Sequence, residues 1–350
     1  MSDNKKLMFF DSTLRDGNHA IKHQITANTI ANYCRAVDDA GLYTVIVGHG
    51  NGAGASSLQT GISLLDDNVM LSVARANLKH TKLGIFLIPG YGTIEDNITP
   101  ALALGTDVVC VGIHCTEANV ARQHIQYVRS HGKEAYGILM MYHMATPERL
   151  VEEALKLQEY GALGVTLMDS AGASTPNMVR KAVTVLRTKL DINVGFHAHN
   201  NLGAAVGNSY IALECGAKIM DACVCGFGAG AGNCQLEALC ALLKKEGIQT
   251  GLDLYKLLDA SEQIIAPIWS DGKAQTVLSI ISGMSGVFSS FATHVANAAK
   301  RFNIDPRDIF IELGNRKVVG GQEDMVVDVA MNLAQMKSKD SRDSFLESLL

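Results

Sequence analysis

The feature that most constrains the fold is an alternation of short apolar runs with amphipathic stretches between residues 7 and 245. The runs are apolar on both faces, which is typical of parallel strands covered by helices. Eight strands separated by helices predict an α/β fold, a closed (β/α)8 TIM barrel with its active site at the carboxyl ends of the strands. The predicted strands are Leu7–Ser12, Tyr43–Gly48, Lys82–Ile88, Asp107–His114, Glu134–Tyr142, Gly164–Asp169, Asn193–His199 and Lys218–Cys225.

The helices between these strands carry local start and stop signals. Thr146-Pro147 and Thr175-Pro176 each place a capping hydroxyl before a first-turn proline. An alternative fold, the doubly wound sheet that binds a dinucleotide, needs a glycine fingerprint after its first strand. The sequence there is Asp-Ser-Thr-Leu-Arg-Asp-Gly, which argues against that fold. The glycines expected just beyond helix ends are Gly41, Gly105, Gly132, Gly161, Gly216 and Gly247.

After about residue 250 the strand pattern does not resume. We therefore expect two domains, a catalytic barrel over residues 1–255 and a C-terminal helical domain over residues 256–350. The helical domain could contribute to the barrel mouth or form a partner surface. Its predicted helices are Leu252–Ala266, Val277–Met284, Ser290–Phe302, Asp305–Leu313 and Met325–Met336.

Composition favours a small-molecule ligand. The 350-residue chain has a formal net charge of -5 and scattered Lys and Arg residues, so nothing indicates nucleic acid or an anionic membrane as a partner. The sequence shows neither a signal-peptide pattern nor an apolar run of membrane-spanning length, and we expect a cytoplasmic protein. The eight cysteines lie mostly in apolar patterns and are expected to be reduced and buried.

Two clusters of reactive side chains indicate a metal site. Asp16 follows the first strand, whereas His197 and His199 lie two apart on the seventh, so both imidazoles point the same way into the barrel. One carboxylate and two imidazoles are typical of a divalent-metal site. Zinc, manganese, iron and magnesium are all formally possible, although two histidines disfavour magnesium. The alternative is a hydrogen-bonded pair of strand-end histidines.

Arg15 and His19, beside Asp16, indicate what such a metal site does. Arg15 is a fixed cation that can hold a carboxylate or an enolate oxygen, and His19 is suited to moving a proton near neutral pH. With the metal they predict enolate chemistry on an α-keto acid. Three other strand-end histidines, expected to be hydrogen-bonded rim residues, are His49, His114 and His143.

The glycine-rich segment Gly226–Asn233 follows the last predicted strand. It lacks the Gly-Lys-Ser/Thr of a phosphate loop, so we expect either that its backbone lies close to the substrate or that it turns tightly against the metal site. Asn233 and Glu237 are expected to cap the helix that follows.

Three motifs carry a family resemblance: Asp11-x-Thr-Leu-Arg-Asp-Gly, His197-x-His199 and Gly-Ala-Gly-Asn-x-x-Leu-Glu237. In this order they resemble the metallolyase superfamily of isopropylmalate synthase, homocitrate synthase and 3-hydroxy-3-methylglutaryl-CoA lyase. Within it the chain is most similar to the 4-hydroxy-2-oxovalerate aldolases, the pyruvate aldolases of bacterial aromatic and steroid degradation. His19 stands where the synthases carry glutamine, and the resemblance covers nearly the whole chain.

The resemblance implies a divalent-metal-dependent class II pyruvate aldolase. It would cleave a 4-hydroxy-2-oxo acid, such as 4-hydroxy-2-oxopentanoate, to pyruvate and an aldehyde through a metal-stabilised pyruvate enolate. Arg15 would stabilise the enolate and His19 would be the base acting on the 4-hydroxyl. The metal, Mn2+ or else Co2+, Mg2+ or Zn2+, would be held by Asp16, His197 and His199. Substrate contacts are assigned to Arg15, Ser170, His197 and Phe288.

The resemblance also implies the function of the C-terminal helices. They would form a dimerisation and communication region in a homo-oligomer. The partner implied by the resemblance is a CoA-acylating acetaldehyde dehydrogenase that receives the aldehyde.

Three departures from the aldolase pattern bear on substrate identity. Phe288 stands where the aldolases carry a tyrosine, and Asn200 replaces a histidine after the His-x-His motif. The second-strand sequence Ile46–Gly52 lacks two carboxylates that the aldolases usually have.

Two other functions are compatible with the same motifs. A Claisen-type condensing enzyme or acyl-CoA lyase would use the same enolate chemistry, but His19 in place of glutamine argues against it. A binding subunit that kept the metal site and lost turnover is suggested by Phe288 and Ile46.

Overall fold

The computed structural model describes residues 7–269 and 275–347 and contains a closed barrel of eight parallel strands in sequence order. This confirms the predicted TIM barrel. Every strand neighbours its sequence neighbours, and the first strand pairs with the eighth to close the sheet. The strands are β1 (Met8–Asp11), β2 (Thr44–Ile46), β3 (Lys82–Leu87), β4 (Val108–His114), β5 (Glu134–Met140), β6 (Gly164–Asp169), β7 (Asn193–Ala198) and β8 (Ile219–Ala222).

Helices follow each strand, and the C-terminal part of the described chain is helical, as predicted. Among the helices of the described residues, none is both long and apolar enough to cross a membrane. The helices are α1 (Ala27–Val37), α2 (Asp67–Asn77), α3 (Thr99–Ala103), α4 (Arg122–Ser130), α5 (Pro147–Glu159), α6 (Pro176–Lys189), α7 (Ala205–Glu214), α8 (Leu236–Lys245), α9 (Leu254–Ala260), α10 (Val277–Ser285), α11 (Ala292–Phe302), α12 (Pro306–Asn315) and α13 (Met325–Glu347).

Local capping chemistry explains where these helices begin and end. The hydroxyls of Thr146 and Thr175 accept the backbone N–H of the residue three positions later, with proline at the first helical position. All six glycines expected after helix ends have positive φ angles, between 70° and 99°. A side chain at such a φ is strained, so glycine is the residue that ends these helices at low cost.

Side-chain alternation along the strands separates two apolar layers. On β7, Phe196 and Ala198 pack in the outer layer against the helices, and His197 lies on the inner face beside Met168 of β6. The predicted inward orientation is therefore confirmed for His197, which pairs directly with the inward-facing Met168. The inner apolar layer consists of Phe10, Ile46, Phe86, Val108, Cys110, Tyr136, Ile138, Met168 and Ile219.

A polar cluster lies at the amino ends of the strands. Glu134 forms an ion pair of 2.5 Å with Lys82 and accepts hydrogen bonds from Tyr43 (2.7 Å) and Tyr136 (3.1 Å). These side chains satisfy one another's hydrogen-bonding groups on the amino-terminal side of the inner apolar layer. At the opposite, carboxyl end of the barrel, the ring nitrogens of His197 are buried without a hydrogen-bond partner among the described residues.

The C-terminal helices have an apolar cluster of their own, which includes Val287, Phe291, Phe310 and Val329. The predicted domain boundary at residue 255 remains a prediction. Two links tie these helices to the barrel mouth. Asn201, fully buried after β7, donates to the carbonyl of Ser279 (3.0 Å) and to the hydroxyl of Ser289 (2.9 Å). His143 hydrogen-bonds to the carbonyl of Gly286 at 3.2 Å.

Replacing Asn201 should destabilise the protein strongly. Asn201→Ala removes two buried hydrogen bonds and leaves the partners without them, so we expect the free energy of unfolding to fall by about 2–4 kcal/mol. Asn68→Ala, at an exposed position in α2, is the control and should change it by less than about 0.5 kcal/mol. Chemical denaturation measures both. Equal effects of the two substitutions would contradict a structural role for Asn201.

Candidate metal centre and active site

Three predicted ligands converge at the carboxyl end of the barrel. Asp16 opens the 3-10 turn Asp16–Ile21 that follows β1, His197 lies on β7, and His199 lies just beyond it. One ligand atom from each of Asp16, His197 and His199 lies within 4.8 Å of the others. All three side chains are buried, with relative exposures of 2, 0 and 7%. The barrel closure therefore brings together residues that are more than 180 positions apart.

The nitrogens of the two imidazoles are free to bind an ion. Within the described part of the chain, neither ring nitrogen of His197 nor Nδ1 of His199 has a hydrogen-bond partner. His197 Nδ1 lies 3.2 Å from Asp221 Oδ1, close enough for an ion pair but without hydrogen-bond geometry. Buried polar atoms without partners are costly and uncommon. Such atoms beside a carboxylate fit a divalent cation.

The electrostatics keep two of the proposed ligands, Asp16 and His199, in their metal-binding protonation states. Burial lowers the pKa of His199 to about 4, so the imidazole is neutral at neutral pH. Burial alone would raise the pKa of Asp16, but Arg15 and the nearby histidines, His199 foremost, hold it well below its usual range. Asp16 is therefore ionised, and neither Asp16 nor His199 needs to lose a proton to bind a metal.

The carboxylate of Asp16 is oriented from both sides. Arg15 Nη1 donates to Oδ1 at 2.8 Å, and the side-chain amide of Asn233 donates to Oδ2. The glycine-rich loop passes very close, because a Cβ on Gly228 would lie 2.8 Å from Oδ2. The loop therefore turns tightly against Asp16, one of the proposed ligands. Glycine is required there because no side chain would fit.

Asn233 is a site residue that the sequence reasoning misplaced. We expected it to cap α8, but that helix starts after Gln235, and Asn233 instead bonds to Asp16 and to the Cys223 sulfur (3.1 Å). Its backbone also forms a bridge with His199. Its position at the end of the glycine run, two residues before the helix cap, was the only local signal. Glu237 likewise does not cap the helix but accepts the backbone N–H of Cys225.

Arg15 is buried, and several contacts fix the position of its guanidinium. Besides Asp16, its guanidinium donates to the carbonyl of Gly50 (3.2 Å) and lies 4.7 Å from the centre of the Phe86 ring. Its Nε is buried without a partner among the described residues. A cation fixed in this way can attract an anionic group at the mouth of the barrel.

His19 lies next to Arg15 and shares one of its partners. The ring of His19 lies directly against the backbone of Gly50, because a Cβ at Gly50 would be 2.5 Å from its Nε2. Burial lowers the pKa of His19 below its usual value, against a raising effect of Asp16, and Arg15 lowers it further. The imidazole is therefore uncharged at neutral pH and can accept a proton.

The two remaining predicted site residues have different surroundings. Ser170 lies directly after β6, and its hydroxyl accepts the backbone N–H of Met141 at 3.1 Å. Phe288 packs with the C-terminal apolar cluster, near Gly320. The next residue, Ser289, is the one that contacts the barrel, through Asn201.

Other polar residues of the first and seventh strand ends support the site structurally. Asp11 accepts hydrogen bonds from Thr13 and from Tyr33 of α1 (2.6 Å), and burial raises its pKa to about 6. Asn200, one of the departures from the aldolase pattern, accepts the backbone N–H of Ala205 at the start of α7. Ile46, at the start of another departure, belongs to the inner apolar layer.

One other group of potential ligands occurs among the residues that the structure describes, and it is less suited to a metal. Asp38, Asp39 and His80 lie near the amino ends of the strands, and Asp39 and His80 are exposed. Asp38 already accepts the backbone N–H groups of residues 79 to 81. The buried group of Asp16, His197 and His199 is therefore the candidate metal centre.

Removal of the Asn233 side chain should weaken metal binding. Asn233→Ala deletes a donor that orients Asp16, and such orienting partners typically contribute 10- to 100-fold to affinity, so we expect a loss of about that size for Mn2+. Titration calorimetry on metal-free protein measures it. Gln235→Ala, whose side-chain amide bonds to Glu237 rather than to Asp16, is the control. An unchanged affinity in Asn233→Ala would show that Asp16 does not depend on this contact.

Comparisons with known proteins agree with the geometry. Residues 6–264 match the HMGL-like family model, and residues 275–335 match the model of a DmpG-like communication domain. The chain is 50% identical to a 4-hydroxy-2-oxovalerate aldolase of Pectobacterium atrosepticum, over 95% of this chain and 96% of the relative. It is 48% identical to that of Spirochaeta aurantia, over 97% and 99% of the two chains.

A solved structure supports the fold alone. The carboxyl transferase domain of Rhizobium etli pyruvate carboxylase superimposes with a TM-score of 0.77 at 17% identity, covering 95% of this chain and 61% of that one. The family follows from the sequence matches. The chain belongs to the HMGL-like family and, within it, to the group of carbon–carbon lyases formed by the 4-hydroxy-2-oxovalerate aldolases.

Proposed function

We propose that this chain cleaves a 4-hydroxy-2-oxo acid, such as 4-hydroxy-2-oxopentanoate, to pyruvate and an aldehyde with the aid of a bound divalent metal. The observation that carries the proposal is the convergence of Asp16, His197 and His199, with Arg15 and His19 directly beside them. The names of the relatives from Pectobacterium atrosepticum and Spirochaeta aurantia support the same activity.

The metal ligands would be Asp16, His197 and His199, and the ion we propose is Mn2+. One carboxylate and two imidazoles suit manganese, while cobalt and zinc fit the same donors and magnesium fits them less well. When bound, the ion supplies a Lewis acid for the oxygens of the 2-oxo acid. The protein contributes the orientation of the ligands, because Arg15 and Asn233 hold the Asp16 carboxylate from its two sides.

Arg15 would bind the charged end of the substrate and stabilise developing negative charge. Its guanidinium is already fixed by Asp16 and Gly50, so little reorganisation is needed when charge develops. We assign His197 both to the proposed ligand set and to the substrate side, because neither of its ring nitrogens has a hydrogen-bond partner within the described chain.

His19 would be the base. It takes the proton of the 4-hydroxyl, the C3–C4 bond breaks, and the oxygen left on C4 becomes the aldehyde carbonyl. The electron pair of the broken bond forms the enolate of pyruvate, on whose oxygen the charge of Arg15 acts. A proton delivered to C3 then completes pyruvate, so the reaction as a whole neither takes up nor releases a proton.

The rest of the substrate would be enclosed by Ser170 and Phe288. Ser170 places a hydroxyl at the end of β6, next to the strand that carries His197. Phe288 supplies a ring without the hydroxyl that a tyrosine would add. The absence of this hydroxyl leads us to expect a preference for aldehydes whose far end is apolar.

The C-terminal helices would bind the protein that receives the aldehyde. The match to a communication domain over residues 275–335 supports contact with another protein, for which we propose a CoA-acylating acetaldehyde dehydrogenase. Large apolar side chains on α10 support a role in protein contacts, since Val277 and Met284 are exposed by 63 and 61%. We further propose that the chain forms homo-oligomers through the same region.

Metal-dependent release of pyruvate tests the proposed reaction. Metal-free protein supplied with Mn2+ should release pyruvate from 4-hydroxy-2-oxopentanoate or a longer homologue, and excess chelator should abolish the release. A coupled lactate dehydrogenase assay measures pyruvate.

Exchange of the pyruvate methyl protons in D2O, followed by NMR, tests enolate formation without any knowledge of the aldehyde. Absence of both metal-dependent release and exchange would overturn the proposal, and release of CoA from acetyl-CoA with a 2-oxo acid would favour a Claisen-type enzyme.

Replacement of His19 should separate catalysis from metal binding. His19→Ala removes the proposed base, so we expect kcat for cleavage to fall by roughly 100- to 10,000-fold. The Mn2+ affinity, measured by calorimetry, should stay within about threefold, because His19 is not one of the three ligands. His80→Ala, at the opposite end of the barrel, is the control and should leave both quantities unchanged. Loss of the metal in His19→Ala would mean that a ligand had been mistaken for the base.

A further inference from the structure

A pair of buried histidines lies next to the proposed active site without belonging to it. The rings of His23 and His49 stack with centroids 3.6 Å apart and an interplanar angle of 14°. Their relative exposures are 5 and 0%. Neither is a proposed metal ligand or proton carrier, so their burial needs another explanation.

Backbone partners fix the tautomer of His49. Its Nδ1 accepts the backbone N–H of Asn51 at 3.0 Å, so the proton of the neutral ring is on Nε2, which donates to the carbonyl of Gly61 at 3.0 Å. His23 Nδ1 similarly accepts the N–H of Gly50, at 3.4 Å. Burial lowers the pKa of His23 to about 3 and that of His49 to about 4, in agreement with two neutral rings.

The peptide between Gly50 and Asn51 connects this pair to the active site. Its N–H belongs to Asn51 and bonds to His49, whereas its carbonyl belongs to Gly50 and points the opposite way, as in any trans peptide. That carbonyl accepts Arg15 Nη1 at 3.2 Å, and the ring of His19 lies against the same Gly50 backbone. The planar Gly50–Asn51 peptide group is thus hydrogen-bonded to His49 on one side and contacts both Arg15 and His19 on the other.

Space around Gly50 shows how closely His19 depends on this peptide. A Cβ at Gly50 would lie 2.4 Å from Cδ2 and 2.5 Å from Nε2 of His19. The imidazole of His19 therefore rests directly on the Gly50 backbone. A small rotation of the Gly50–Asn51 peptide would move the partner of His19 and of Arg15 together.

We propose that His49 is a positioning residue for the reaction. By accepting the Asn51 N–H, it turns the Gly50 carbonyl towards Arg15 and His19. This carbonyl fixes the guanidinium and selects one ring tautomer of His19, with the other ring nitrogen left to accept the substrate's hydroxyl proton. His23 supports His49 by stacking on it. The inference rests on the proposed function for its catalytic consequence, but the tautomer of His19 can be observed without substrate.

Two substitutions of His49 separate its hydrogen bond from its ring. His49→Phe keeps a stacking ring and loses the acceptor, and we expect kcat to fall by about tenfold or more and KM to rise several-fold, because sub-ångström misplacement of catalytic groups is costly. His49→Asn loses the ring, but an asparagine oxygen readily accepts the N–H two residues on, so kcat should stay within about threefold of the parent. His80→Phe, on the exposed face at the other end of the barrel, is the control and should behave as the parent.

The tautomer of His19 provides the readout that a purely structural role would not change. Long-range 15N–1H NMR of the substrate-free protein, with the His19 signal identified by its absence in His19→Ala, should show one neutral tautomer in the parent and in His49→Asn. His49→Phe should show a mixture. Calorimetry should give the same Mn2+ affinity for all three proteins. If His49→Phe does not fold, His49→Leu replaces it with the same expectations.

The outcomes distinguish this inference from the proposed function. A single His19 tautomer in His49→Phe, equal impairment in His49→Asn and His49→Phe, or loss of Mn2+ binding in either would overturn it. If the parent protein releases no pyruvate, the proposed function fails, and the tautomer measurement still decides whether His49 positions His19.

Discussion

The constraint on which the site depends is the burial of an ionised carboxylate. Asp16 is 2% exposed, and its charge is compensated by Arg15 at 2.8 Å and by the side-chain amide of Asn233, which donates to its other oxygen. A buried charge without such partners would neutralise itself by taking up a proton. Because one of its oxygens is shared with Arg15, Asp16 also fixes the cation that we assign to the substrate. The proposed metal site and the proposed substrate site are therefore parts of one charge arrangement.

Barrel closure is what makes this arrangement possible. Asp16 comes from the end of β1, His197 from β7, and the loop that carries Asn233 from the end of β8, and these are consecutive strands around the barrel. The amino ends of the strands are closed by the satisfied cluster of Glu134 and its partners. At the opposite, carboxyl end, both ring nitrogens of His197 lack hydrogen-bond partners within the described chain, and they lie beside the carboxylate of Asp16.

The sequence predicted the barrel and the convergence of Asp16, His197 and His199 because both follow from the pattern of the strands. Strand patterning, threonine caps and terminal glycines are each encoded within a few residues, and the inward direction of His197 follows from alternation along a strand. Asn233 and the Gly50 carbonyl could not be predicted in the same way. Asn233 meets Asp16 across 217 positions, and a backbone carbonyl acts through its orientation, which no side-chain pattern reports. In the sequence, these close approaches are reflected in the glycines at positions 50 and 228.

The glycine-rich loop links the C-terminal helices to the metal ligands. Gly228 approaches Asp16 so closely that no side chain fits, and a Cβ at Gly230 would lie 2.5 Å from that of Ser289. Ser289 in turn bonds to Asn201, two residues beyond His199. The loop is therefore packed between the carboxylate of the metal site and the segment that precedes α11. Because both neighbours are in direct contact with backbone rather than with flexible side chains, the loop's conformation depends on the barrel and the helical region together.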